Sequence, residues 1–241
     1  MHPPPVERNV LPALILLHFK GACEYLDDLV SRIDAPQLIF INISYLNQPV
    51  GLQVAQLSKF IDRSVGPKLT LSRRAHVTFD NTWVSFDTHC HANDPTPLPT
   101  ARIIASCEGI GRQVLHMAQV LSQFSAALPP SNFVDLGFEV ENKWVRSTEG
   151  MDDIDWRHLL LQFSAVKTMY VLNPKLARHV AFGLEHMDAG TLPSLDLLFL
   201  AGQPPSFVEK FVAARKFSGR PVTVVDTETE FDERVKSYIS K

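Results

Sequence analysis

Residues 11–21 read LPALILLHFKG and residues 192–202 read LPSLDLLFLAG, so Leu, Pro, Leu, Leu and Gly recur at matching positions near the two ends of the chain. Both copies contain apolar residues at relative positions one, four and six: Leu14, Leu17, Phe19 and Leu195, Leu198, Leu200. The same spacing returns as Leu38, Ile41, Ile43, as Phe133, Leu136, Phe138 and as Val166, Met169, Val171. The last two members of each triplet are two residues apart. On a strand they share one face, and the residue between them faces the other. Self-similarity of this kind is the mark of a repeat architecture.

Segments with helical spacing lie between the triplets, such as Cys23, Leu26, Leu29, Val30, Ile33 and Val54, Leu57, Phe60, Ile61. Others cover 114–124, 156–163, 176–187 and 208–217, and Asp155 stands where it can cap the helix that begins at Trp156. Alternating strands and helices predict parallel strands with helices packed on one side. About 24 residues separate the first two strands, within the 20 to 29 of a regular leucine-rich repeat, but Ile43 and Phe133 are much further apart.

In that gap Ala75, Val77, Phe79 read as one more repeat strand, with Thr78 as its outward residue. Trp83–His89 and Arg102–Cys107 read as two alternating strands around the Pro-rich loop 93–99. They predict an inserted hairpin, with an antiparallel edge as one placement. No asparagine ladder accompanies the repeats. The expected fold is an α/β, irregular leucine-rich-repeat-like solenoid over 11–226, preceded by a disordered segment (1–10) and followed by a tail or capping helix (227–241).

The totals suit a folded chain. It has 241 residues, 45% hydrophobic and 20% charged, with a net charge of -3 and no run of like charges. That balance recommends neither nucleic acid nor an anionic membrane as a partner. Cys23, Cys90 and Cys107 are isolated thiols without a CxxC, which points to a reducing compartment and not to a disulfide framework. The longest apolar stretch, Val10 to Leu17, is far short of the roughly 20 residues that span a bilayer.

Three further stretches carry a resemblance: EYLDDLVSRIDAPQL at 24–38, FSAVKTMYVL at 163–172 and FVAARKFSGRPVTV at 211–224. With the two Leu-Pro copies, they resemble the leucine-rich-like C-terminal region of fungal F-box proteins over nearly the whole chain, least from about 80 to 105 and after Asp226. The resemblance implies a substrate-recruiting scaffold of a cullin-RING ubiquitin ligase, located in cytoplasm or nucleus. In such a protein an F-box bundle binds the Skp adaptor and the repeat region binds the protein target. Only about 13 residues precede the first repeat strand, too few for an F-box, so adaptor binding is expected only with an F-box upstream.

No catalytic motif stands out: GxSxG, P-loop, HExxH and kinase signatures are missing from the sequence. Gly109-Ile-Gly111 sits between a strand and a helix but has Val114 at the third glycine position, so no dinucleotide cofactor is expected. Asp152, Asp153 and Asp155 read as a cap and a complement to the helix dipole. His89 and His91 form an HxH pair that could hold zinc if Cys107 or His76 came near, and solvated histidines explain the same pattern. The expectation is therefore a non-enzyme without cofactor.

Its protein-binding residues are expected on the outward strand positions His18, Asn42, Thr78, Tyr170 and Phe199, with an exposed loop Trp144 as a further anchor; loops or the tail after Asp226 folded over Tyr170 and Phe199 are the equal alternative. Trp156 reads as helix core. The alternatives are a stand-alone interaction module and an α/β metal-binding enzyme using the His89 region.

Overall fold

The apolar triplets build the same local structure each time. In the computed structural model, which describes residues 7–45, 54–65, 73–89, 100–107, 109–141, 155–188 and 190–226, the first member of each triplet closes a turn. Its N–H donates to the carbonyl three residues back: Leu14 to Leu11 (3.2 Å), Leu38 to Ala35 (3.1 Å), Phe133 to Pro130 (3.3 Å), Val166 to Phe163 (3.4 Å) and Leu195 to Leu192 (3.0 Å). After all but the first, the next two N–H groups then share one carbonyl of a neighbouring segment. Those of Ile39 and Phe40 reach Ile15, those of Val134 and Asp135 reach Arg73, those of Lys167 and Thr168 reach Val134, and those of Asp196 and Leu197 reach Lys167. The triplet thus sets the register of each strand as well as its position.

The elements follow in chain order: β1 (Asn9–Val10), β2 (Leu16–Gly21), α1 (Cys23–Ser31), β3 (Ile33–Asp34), β4 (Phe40–Tyr45), α2 (Ala55–Ser64), β5 (Arg74–Phe79), β6 (Trp83–His89), β7 (Thr100–Ser106), α3 (Ile110–Phe124), β8 (Asp135–Val140), α4 (Trp156–Leu160), β9 (Thr168–Val171), α5 (Pro174–Glu185), β10 (Leu197–Leu200), α6 (Glu209–Phe217) and β11 (Thr223–Val225). Nine strands form one open sheet in the spatial order β2-β4-β7-β6-β5-β8-β9-β10-β11. Every neighbouring pair is parallel except those of β6, which runs antiparallel to β5 and β7. The fold is mixed α/β with a large, mostly parallel sheet. Asn9 and Val10, assigned by sequence to the leading segment, pair as β1 with β3 in a separate ribbon.

One core joins the triplet face of the sheet to the helices. Leu26 and Val30 of α1, Phe60 and Ile61 of α2, Met117 and Leu121 of α3, Trp156 and Leu159 of α4 and Val180 and Leu184 of α5 all belong to it with the inward strand residues. Tyr170 and Phe199 form a second, separate cluster on the other face. No described helix is long and apolar enough to cross a membrane.

The inserted hairpin lies at the centre of the sheet, not at an edge. After β4 the chain crosses through α2 to β5, returns by β6 and β7 to pair β7 with β4, and crosses again through α3 to place β8 beside β5. Val84, Phe86 and Thr88 of β6 are buried under the helices, and ladders on both sides satisfy its backbone. An antiparallel strand in a parallel sheet is ordinarily an edge. Its period-two pattern reads the same in either place, so spatial order came only with the pairing.

Long polar side chains tie successive units together. Asp27 of α1 accepts the N–H groups of Gln56 (3.0 Å) and Leu57 (2.8 Å) at the start of α2, and Glu185 of α5 accepts that of Lys210 (2.8 Å) at the start of α6. Arg63 of α2 donates to the carbonyls of Val30 (2.9 Å) and Ile33 (3.0 Å) and pairs with Asp34. Gln113 of α3 donates to the carbonyls of Asp80 (2.6 Å) and Cys107 (2.9 Å). These bonds satisfy turn and helix-end groups that the ladders leave over. Asp155 caps α4 through the Arg157 N–H (3.1 Å), as the sequence predicts, while Asp152 and Asp153 lie outside the described residues.

Candidate interaction face

The residue between the last two members of a triplet points away from the helices. The ladder registers carry this position across all nine strands as one row: His18, Asn42, Arg102, Asp87, His76, Gly137, Tyr170, Phe199 and Val225. Four positions expected from sequence, His18, Asn42, Tyr170 and Phe199, fall in this row. Thr78 does not. It pairs with Glu139, and the β5 member of the row is His76, opposite Gly137. Strand β5 has three buried inward residues, Ala75, Val77 and Phe79, so the triplet spacing fits it in two ways, and only the pairing of Val77 with Phe138 decides between them.

The row changes character along the sheet. At the β2 end His18 is exposed and Asn42 half-buried. In the middle, ion pairs bridge adjacent strands, Arg102 to Asp87 from β7 to β6 (3.3 Å) and Arg74 to Asp135 from β5 to β8 (3.4 Å), and His76 Nε2 lies 3.5 Å from the Glu139 carboxylate. The Ser85 hydroxyl donates to Asp87 (2.9 Å). Loss of surrounding water, with the charge of Glu141 adding to it, pushes the Glu139 carboxyl above its ordinary value. Opposite charges facing across a ladder each stabilise the pairing by about 0.2–1 kcal/mol, so these groups serve the sheet as well as any ligand.

Sequence reading missed Arg102 and Asp87, and took His76 only as a possible zinc partner. Alternation along β6 and β7 already turns Asp87 and Arg102 outward; their juxtaposition depends on strands paired over long separations.

At the other end Tyr170 and Phe199 face each other across β9 and β10, with ring centroids 4.8 Å apart and planes within 5°. The two residues are only 5% and 1% exposed, with Leu172, Leu197 and Val225 packed around them. The reading of these two as exposed anchors is corrected in favour of the covered alternative: the rings stack across adjacent strands and pack with these apolar neighbours as a small core of their own.

Of the other expected residues, Trp144 and His91 lie outside the described residues, and His89 is described only by its backbone, opposite Arg74 on β5. Cys107 cannot join His89. Trp83 at the start of β6 pairs with Ser106, so Cys107 sits at the far end of the hairpin, roughly 20 Å from His89 at strand rise. Burial pushes the Cys107 thiol up to about 11, and Arg112 offsets part of the shift. Gly109 precedes α3 with a φ of 77°, a left-handed conformation that accounts for glycine there without a phosphate.

Along this face an exposed polar end at His18 gives way to the paired groups of β5–β8 and then to the buried Tyr170–Phe199 pair. No protein-family model, curated protein or solved structure matches the chain.

Proposed function

We propose that the chain is a non-enzymatic protein-binding scaffold whose sheet face opposite the described helices receives a protein target, with the repeats stacked as an irregular leucine-rich-like solenoid. The observation that carries the reading is the single outward row across nine strands, which opens on His18 and Asn42 and continues through the Arg102, Asp87 and His76 sector. The identical turn bond at Leu14, Leu38, Phe133, Val166 and Leu195 supports the stacked-repeat part. Extended sheet faces of this kind serve repeat proteins as partner surfaces.

The resemblance to fungal F-box proteins extends the proposal to target recruitment for ubiquitination. A target held beside a ubiquitin-loaded enzyme gains effective concentration, so the scaffold needs rigidity and no reactive group. Without an F-box in the same polypeptide, the same face serves as a stand-alone interaction module.

The test compares Asn42→Arg with Thr78→Arg on the sheet face against Gln119→Arg with Ser122→Arg on α3. Proximity labelling in cells identifies candidate targets, and purified targets are then titrated by calorimetry. A target lost with the sheet-face variant and kept with the α3 variant supports the reading. Binding unaffected by the sheet-face variant, or lost equally with both, overturns it. Co-purification of the target complex with the Skp adaptor separates the ligase reading from the stand-alone module.

A further inference from the structure

We draw no further inference here: the strongest candidate, the outward patch of β2, β4 and β7 where exposed His18 and Lys20 lie beside Asn42 and Arg102, belongs to the face already described, and nothing in the structure shows what covers it.

Discussion

Tyr170 and Phe199, paired across β9 and β10, stack with centroids 4.8 Å apart on the face of the sheet that carries no described helix. Because Phe199 is only 1% exposed, its first role is packing. Phe199→Ser should lower the unfolding free energy by about 3 kcal/mol, measured by urea denaturation. Phe199→Leu should lose about 1 kcal/mol, the part owed to ring on ring. An unchanged melting temperature for Phe199→Ser would show that the ring is not packed.

The carboxylate of Asp27 gives a prediction with a pH signature. Burial pushes this carboxyl above its ordinary value, with the N–H groups of Leu57 and Gln56 and the charge of Lys59 offsetting part of the rise. Asp27→Ala leaves two helix N–H groups of α2 without their acceptor and should cost about 1 kcal/mol, while Asp27→Asn keeps an acceptor and should lose less. A carboxyl raised in the folded state holds its proton more tightly there than in the unfolded chain. Its linked stability is full below the unfolded value and is lost as pH rises through the folded one. The stability of the wild type relative to Asp27→Asn should therefore fall as pH rises from about 3 to 7. A flat or rising difference would contradict the direction of the shift.

What could be read from the chain and what could not follow from the range of the interactions. The triplets were legible because a turn bond, a strand and two inward side chains fall within one short stretch, as at Leu192 to Leu200. The helices were legible from their apolar stripes: 176–187 predicts most of α5, at Pro174–Glu185, and 208–217 predicts α6 within a residue. The centre of the sheet was not. Nothing local to β5 says that β8 will lie beside it, so neither the reversed order of β5, β6 and β7 nor the place of His76 in the outward row could be chosen from spacing. Outward direction at Tyr170 was legible too, but the ring stacked on it is carried 29 residues further along the chain.

Gly183 on α5 is held close to Trp156 on α4. A Cβ at residue 183 would sit 2.7 Å from Cδ1 of the indole and 3.1 Å from its Cβ and Cγ. The indole has little room to retreat, since Phe79 and Phe138 both meet it edge-on at 5.8 Å. Gly183→Ala, which usually favours a helix, should here destabilise by about 1–3 kcal/mol through overpacking. A gain in melting temperature would mean that the two helices can part without cost.

Arg215 ties α6 to the turn before β10, buried to 1% exposure, by donating to the carbonyls of Pro193 (3.1 Å) and Leu195 (2.7 Å). Burial, with Arg220 adding to it, lowers the affinity of the guanidinium for its proton, and Asp196 works in the opposite sense. The group is thus costly to bury, yet removing it alone is not the inverse of burying it, because the turn carbonyls stay behind without donors. Arg215→Met should lose about 2–4 kcal/mol by chemical denaturation. Arg215→Lys should fall between, since one ammonium lacks the fork that reaches both carbonyls. Hydrogen exchange locates the effect: the amides of β10 and β11 should lose protection first, while those of β4 and β7 hold. A loss spread evenly over the sheet would mean that Arg215 supports the fold as a whole and not this turn.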